Sequence, residues 1–110
     1  MTKHNTLVSQ QDILDYLKSI KPKLLKDGVT DLGLFGSYAK GTNTYFSDID
    51  IALKTTDRFV KRLSGIEALI YLDNLKEQIK RYFRLPVDIC DTASLSKEKK
   101  DKLLKGIIYV

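Results

Sequence analysis

Apolar positions recur at helical spacing early in the chain, at Ile13, Leu17, Ile20 and Leu24. Ser9 and Asp12 have the form of a capping box that opens this helix. Pro22 is expected to interrupt or kink it, and Asp27-Gly28 to stop it. Val29 to Phe35 reads as a strand, broken by Gly36-Ser37, with Tyr38-Ala39-Lys40 forming one helical turn before Gly41 and a Thr42-Asn43-Thr44 loop. Asp48 to Leu53 alternates with period two, so Ile49, Ile51 and Leu53 share one face and Asp48, Asp50 and Ala52 the other. A longer helix is expected from about Ser64 to Phe83, with Leu69, Leu72, Ile79 and Phe83 on its core side. Leu63, Ile66 and Ile70 add a second apolar side, a candidate partner surface. Leu85 to Cys90 reads as a third strand, and Pro86 suits an edge position or a strand start. Ser96 caps a last helix through Leu104, Gly106 ends it, and Ile107 to Val110 is expected to be an extended, exposed apolar tail. Helix, strand, strand, helix, strand, helix describes one mixed α/β (α+β) domain: helices packed on a small sheet.

The 110 residues fit a single domain over 1–110. A lone cysteine, Cys90, excludes an internal disulfide and suits a reducing cytoplasm, and core packing is its expected role. The start at Met1 to Asn5, with His4, is polar, and no apolar run reaches ~18 residues, so neither a signal peptide nor a membrane span is expected. The net charge of +5 permits a polyanionic partner without demanding one. Much of the excess lies in Lys97, Lys99, Lys100, Lys102 and Lys105, interrupted by Glu98 and Asp101 and without aromatic residues for base stacking. That pattern describes a solvated helix face and gives no strong nucleic-acid signal.

The chemistry concentrates between Gly36 and Asp50. Two aspartates two residues apart on a strand point the same way and repel; divalent cations remove that repulsion. Two-metal sites hold their ions ~3.5–4 Å apart and clamp the attacking and leaving oxygens of a phosphoryl displacement. Magnesium takes oxygen ligands, typically a few carboxylates plus substrate phosphates, and Asp48 and Asp50 match that supply. Gly36-Ser37 follows a strand, so free backbone N–H groups can face a phosphate with no Gly36 side chain in the way, and Ser37 adds a hydroxyl. Lys40 places a positive charge one turn on, and Ser47 is a further candidate for phosphate binding beside its role at the loop entry. A third acid belongs on a neighbouring strand. Val87-Asp88-Ile89 supplies Asp88, which reaches the same metals if the two strands pair ~4.8 Å apart; Asp91 is the competitor and reads as a turn residue.

Gly36-Ser37, ten residues, then Asp48-x-Asp50 resembles the mark of the nucleotidyltransferase superfamily that includes DNA polymerase beta. The likeness extends to the minimal nucleotidyltransferases over nearly the whole chain: a leading helix, Leu34-Phe35-Gly36-Ser37, Ser47-Asp48-Ile49-Asp50, Val87-Asp88-Ile89 and Lys105-Gly106-Ile107-Ile108-Tyr109. The resemblance implies a polymerase beta-like nucleotidyltransferase fold, with Asp48, Asp50 and Asp88 as catalytic residues and metal ligands, two Mg2+ ions and ATP as donor. It also implies an antitoxin that adenylylates a tyrosine of a separately encoded HEPN ribonuclease toxin in a hetero-oligomer. Many relatives have arginine where Lys40 stands; lysine keeps the charge and loses the bidentate fork. Two other readings remain: a non-catalytic antitoxin acting by occlusion, and transfer to a small molecule, for whose acceptor pocket 110 residues leave little room.

Overall fold

The computed structural model describes residues 8–110; the polar start at Met1 to Asn5, with His4, lies outside the described residues. Helix α1 spans Gln10–Asp27 and opens on the expected capping box, in which the Ser9 hydroxyl accepts from the Asp12 N–H and the Asp12 carboxylate accepts from the Ser9 N–H. It runs unbroken through Pro22, against the expectation of an interruption. The missing N–H removes one bond, and the buried stripe of Ile13, Leu14, Leu17 and Leu24 spans the position and holds the helix to the sheet. Gly28 ends it at φ 97°, donating to the Leu24 and Leu25 carbonyls.

Strands β1 (Val29–Phe35), β2 (Ile49–Thr55), β3 (Val87–Asp91) and β4 (Ile108–Tyr109) form one mixed sheet in the order β3-β2-β1-β4. β1 is antiparallel to β2 and β4; β2 and β3 are parallel. The register of β1 against β2 slips between Thr30 and Gly33, where Asp31 takes a positive φ of 51°. This extra residue lets both ends of β1 keep their pairing while the strand twists. Beyond it, Leu34 lies opposite Ile51 in the core, and Phe35 lies opposite Asp50. The short α2 (Gly36–Lys40) follows β1 directly.

α1 and α4 (Gly65–Phe83) cover one face of the sheet, where Ile49, Ile51 and Leu53 are fully buried as their alternation requires. The core stripe of α4 is centred on Leu75 and Ile79, with Tyr71, Leu72 and Phe83 half-buried. Leu69 was expected in the core and is 69% exposed, beside Ile66 at 73% and Ile70 at 53%; Leu63, expected on that outer side, packs on the core instead. The stripe's phase follows Leu75 and Ile79, one turn apart, and Leu69 falls off it.

An additional helix, α3 (Asp57–Arg62), lies between β2 and α4 and is too short for its periodicity to stand out. The Thr56 hydroxyl accepts from the Phe59 N–H, and buried Phe59 anchors the turn. Arg58 donates to the Leu25 and Lys26 carbonyls and Arg62 to that of Asp27, so α3 caps the end of α1.

Among the described residues, the opposite face of the sheet carries a small cluster of Phe35, Ala52 and Leu104, with Cys90 and Ile107 packed against it. Leu104 follows α5 (Lys97–Leu103), whose first turn the Ser96 hydroxyl caps by accepting from the Lys99 N–H. The segment from Ile107 to Val110 is not the free, exposed tail its composition suggests. It is edge strand β4, with Val110 N–H donating to the Leu32 carbonyl and the Lys21 ammonium donating to the Val110 carbonyl. Ile107, Ile108 and Val110 are half-buried. Among the described residues no helix is long and apolar enough to cross a membrane.

Candidate active site

The lightly covered face of the sheet carries the site. Asp50 is on β2, and parallel pairing sets it directly opposite Asp88 on β3, with Ile49 opposite Val87 beside them. Neighbouring strands lie ~4.8 Å apart, so the two carboxylates leave the sheet side by side. Asp48 was read as part of the strand; β2 starts one residue later, at Ile49, whose N–H donates to the Pro86 carbonyl at 2.9 Å. That bond ties the entry of β2 to the entry of β3 and holds Asp48 beside the pair. Asp48 and Asp88 are exposed and Asp50 is half-buried. Burial pushes the Asp50 carboxyl above its ordinary range, and the charges of Asp88 and then Asp48 push it the same way. The three acids are thus electrostatically one cluster.

Gly36 meets this cluster from β1. It sits at φ 76°, and a Cβ placed there would overlap the Asp50 carboxylate Oδ2 and lie 3.0 Å from its Cγ. Only glycine lets the chain turn into α2 while Asp50 stands against it. Ser37 follows as the second residue of α2, half-buried. The helix is pinned from both ends. Its central Tyr38 is fully buried in the core, and the side chain of Gln10 donates to the Tyr38 and Ala39 carbonyls at 3.0 Å each. The Gly41 and Thr42 N–H groups close on the Ser37 carbonyl. Gln10 is a positioning residue that sequence reasoning missed: a polar residue in the first turn of a distant helix carries no local signal of it.

Lys40 ends α2, exposed and without an ion pair among the described residues. Ser47 closes the loop before Asp48, its hydroxyl accepting from the Thr44 N–H at 2.8 Å and its own N–H donating to the Thr44 carbonyl. Asp91 is occupied elsewhere. Its carboxylate accepts from the Thr55 N–H and hydroxyl and from the Ala93 N–H, binding the end of β2 to the turn after β3. Cys90 is half-buried on the Phe35 cluster, with its thiol pushed up by burial and by Asp91, as suits a packing residue.

Among the described residues, no three His, Cys, Asp or Glu side chains close into a ready-made metal cage. The donor set fits magnesium in the other manner: a crowded, one-sided cluster of hard oxygen ligands, open where substrate phosphates would complete the coordination. The repulsion at Asp50 is what a divalent cation relieves.

The model of the nucleotidyltransferase domain matches residues 12–110. A Methanocaldococcus jannaschii protein named as a protein adenylyltransferase is 29% identical over 99 residues, 90% of this chain and 98% of its own length. The protein adenylyltransferase MntA of Thermococcus cleftensis is 27% identical over 105 residues, 94% of this chain and 98% of its own. Among solved structures, a minimal nucleotidyltransferase superposes with a TM-score of 0.73 at 18% identity, over 96% of this chain and 99% of that one. A toxin-antitoxin structure with AMP-PNP gives 0.61 at 24% identity, over 93% and 72%. With the acids paired across β2 and β3 and the glycine turn set against them, the sheet carries the fold these likenesses share, and the chain belongs to the nucleotidyltransferase domain family as a nucleotidyltransferase enzyme.

Proposed function

We propose that this enzyme transfers AMP from ATP to a hydroxyl of a partner protein, and that the partner is a HEPN ribonuclease toxin modified on a tyrosine. The observation that carries the reading is the Asp50–Asp88 register with the Gly36 turn set against Asp50, which we read as the acids of the metal site with a phosphate cradle beside them. Support for the acceptor class comes from the two relatives named protein adenylyltransferase. Support for the toxin comes from the neighbour described as a toxin-antitoxin with AMP-PNP.

In the proposed reaction the acceptor oxygen attacks the α-phosphorus in line, the bond from that phosphorus to the bridging oxygen breaks, and pyrophosphate leaves. Two magnesium ions, when bound, would neutralise the phosphates and the attacking oxygen, with Asp48 and Asp50 as ligands of both and Asp88 as a ligand on the acceptor side. Asp88 also takes the acceptor's proton. Gly36 and Ser37 hold the β- and γ-phosphates, with Lys40 and Ser47 assisting at the rim. A protein acceptor supplies its own positioning. The transferred AMP adds bulk and a phosphodiester charge that repels RNA phosphates from a ribonuclease site.

The test is co-incubation with a cognate toxin, ATP and magnesium, followed by intact-mass measurement. A gain of one or more AMP units on the toxin, abolished by Asp48→Asn, is expected. Neutralisation by Asp48→Asn without any mass gain would establish occlusion in its place.

A further inference from the structure

The turn that enters β4 stands beside the Gly36 end of the site. β4 pairs antiparallel with β1, Ile108 opposite Leu34 and Tyr109 opposite Gly33. Followed back two residues from Ile108, that register brings Ile107 level with Phe35 and Gly106 level with Gly36, where β1 breaks into α2. The packing agrees: Leu104 and Ile107 lie with Phe35 and Ala52 in the cluster on the site's own face of the sheet. Leu104 to Ile107 closes a four-residue turn, with the Ile107 N–H donating to the Leu104 carbonyl at 2.9 Å and Gly106 in the third position at φ 82°. Lys105 fills the second position and is exposed.

Lys40 comes to the same turn from α2. Gly36 and Lys40 are four residues apart there and share a helix face, the face on which Gly36 meets Asp50. A Cβ built on Gly106 would lie 4.0 Å from Lys40 Cγ, so the Lys40 stem passes the turn one residue from Lys105. Neither lysine enters an ion pair among the described residues, whereas Lys102 on α5 reaches Glu98 at 3.9 Å. Two cationic side chains rooted this close repel each other, and an anion held between them removes the repulsion. Across the sheet the order is Asp88 on β3, Asp50 on β2, Gly36 after β1 and Lys105 before β4. All four stand at one end of it, because β1 runs antiparallel to β2 and β4 and β3 runs parallel to β2. A triphosphate with its α-phosphorus at the acids and its β-phosphate at Gly36-Ser37 therefore ends toward Lys40 and Lys105.

We infer that Lys105 is a phosphate-binding residue of this site and that it closes with Lys40 on the terminal phosphate of the nucleoside triphosphate. This rests on the reading of Gly36 and Ser37 as the seat of the β- and γ-phosphates. One lysine offers a point charge without a fork; two lysines from separate elements hold a phosphate from two directions. The same phosphates leave as pyrophosphate, so the pair also stabilises the charge that builds on the leaving group as its bond to the α-phosphorus breaks.

The probes are a non-hydrolysable ATP analogue and AMP, each titrated with magnesium into the full chain and followed by NMR shifts. The wild type is expected to bind the analogue more tightly than AMP. Lys105→Ala, at an exposed turn position, is expected to weaken the analogue about five- to tenfold and to leave AMP unchanged, a split that a loss of fold would not produce. Lys105→Arg keeps the affinity, and Lys105→Glu loses more than Lys105→Ala. Lys97→Ala, the same charge change about 10 Å along α5 from Leu104, stays within about twofold of wild type. Three results each overturn the inference: Lys105→Ala binding the analogue within about twofold of wild type, Lys105→Ala losing analogue and AMP equally, or Lys97→Ala losing as much as Lys105→Ala. A wild type that binds the analogue no more tightly than AMP overturns the seat of the β- and γ-phosphates itself, a failure visible before any variant is made.

Discussion

Replacing Gly36 by alanine tests whether the turn into α2 and the Asp50 carboxylate were built as one unit. Two costs follow from the structure. Holding alanine at φ 76° costs about 1–2 kcal/mol. The new methyl also overlaps the carboxylate Oδ2 and sits 3.0 Å from its Cγ, so the carboxylate must swing off its rotamer for roughly another 1 kcal/mol. Together Gly36→Ala is expected to lose about 2–3 kcal/mol, a large part of the stability of a small domain. In Gly36→Ala/Asp50→Ala the overlapping oxygen is gone and only the backbone cost remains, about 1–2 kcal/mol relative to Asp50→Ala. The coupling, close to 1 kcal/mol, is read from urea midpoints of the wild type, both single variants and the double variant, without magnesium. A carboxylate displaced by about 1 Å is expected to cost on the order of a hundredfold in transfer rate. If Gly36→Ala unfolds within about 0.5 kcal/mol of wild type, or transfers AMP at the wild-type rate, the close approach of this turn to Asp50 is not part of the site.

Asp88→Asn is expected to retain binding of a non-hydrolysable ATP analogue with magnesium and to lose transfer; calorimetry in which binding falls in step with transfer would place Asp88 in the nucleotide half of the site. Asp50→Asn is expected to melt higher than wild type at neutral pH without magnesium. The Asp50 carboxyl is raised by burial and by its neighbours, so its ionised form, present above that raised value, destabilises the fold, and the amide removes the cost; a lower melting temperature would contradict the assignment. Asp27 runs the other way: the Tyr71 hydroxyl at 2.7 Å, then Lys23 and Arg62, hold its carboxyl below the usual 3.8. Its contribution is therefore complete above pH 3.8 and fades as pH falls through the lowered folded value. Asp27→Asn is expected to cost about 1–2 kcal/mol at pH 6 and progressively less below pH 4; a loss independent of pH would show that only shape matters there.

Local signals in the sequence reached far in this protein because several of its decisions are local. The Ser9–Asp12 box, Gly28, the period-two run of Ile49, Ile51 and Leu53, and the Gly36-Ser37 break depend on residues a few positions apart, and the observed elements begin and end close to them. The side of the sheet that Asp50 takes was legible for the same reason, as part of that alternating run; Asp48 was read onto the same strand and stands just before it, so its place beside Asp50 is decided by the loop entry and not by strand spacing. Asp88 was legible only as a candidate: nothing between residues 85 and 90 says which strand lies alongside, and the parallel register with Asp50 is a property of the folded sheet. The slip at Asp31, Gln10 reaching the Tyr38 and Ala39 carbonyls, and the hold of Tyr71 and Arg62 on Asp27 all join residues far apart in sequence. The exposed side of Leu69 and the capture of Ile107 to Val110 as an edge strand were likewise tertiary decisions. An apolar residue records that it gains by leaving water, but not which surface will cover it. That is settled by the sheet's free edge beside β1 and by the phase that Leu75 and Ile79 impose on α4, and both exist only once the chain has closed on itself.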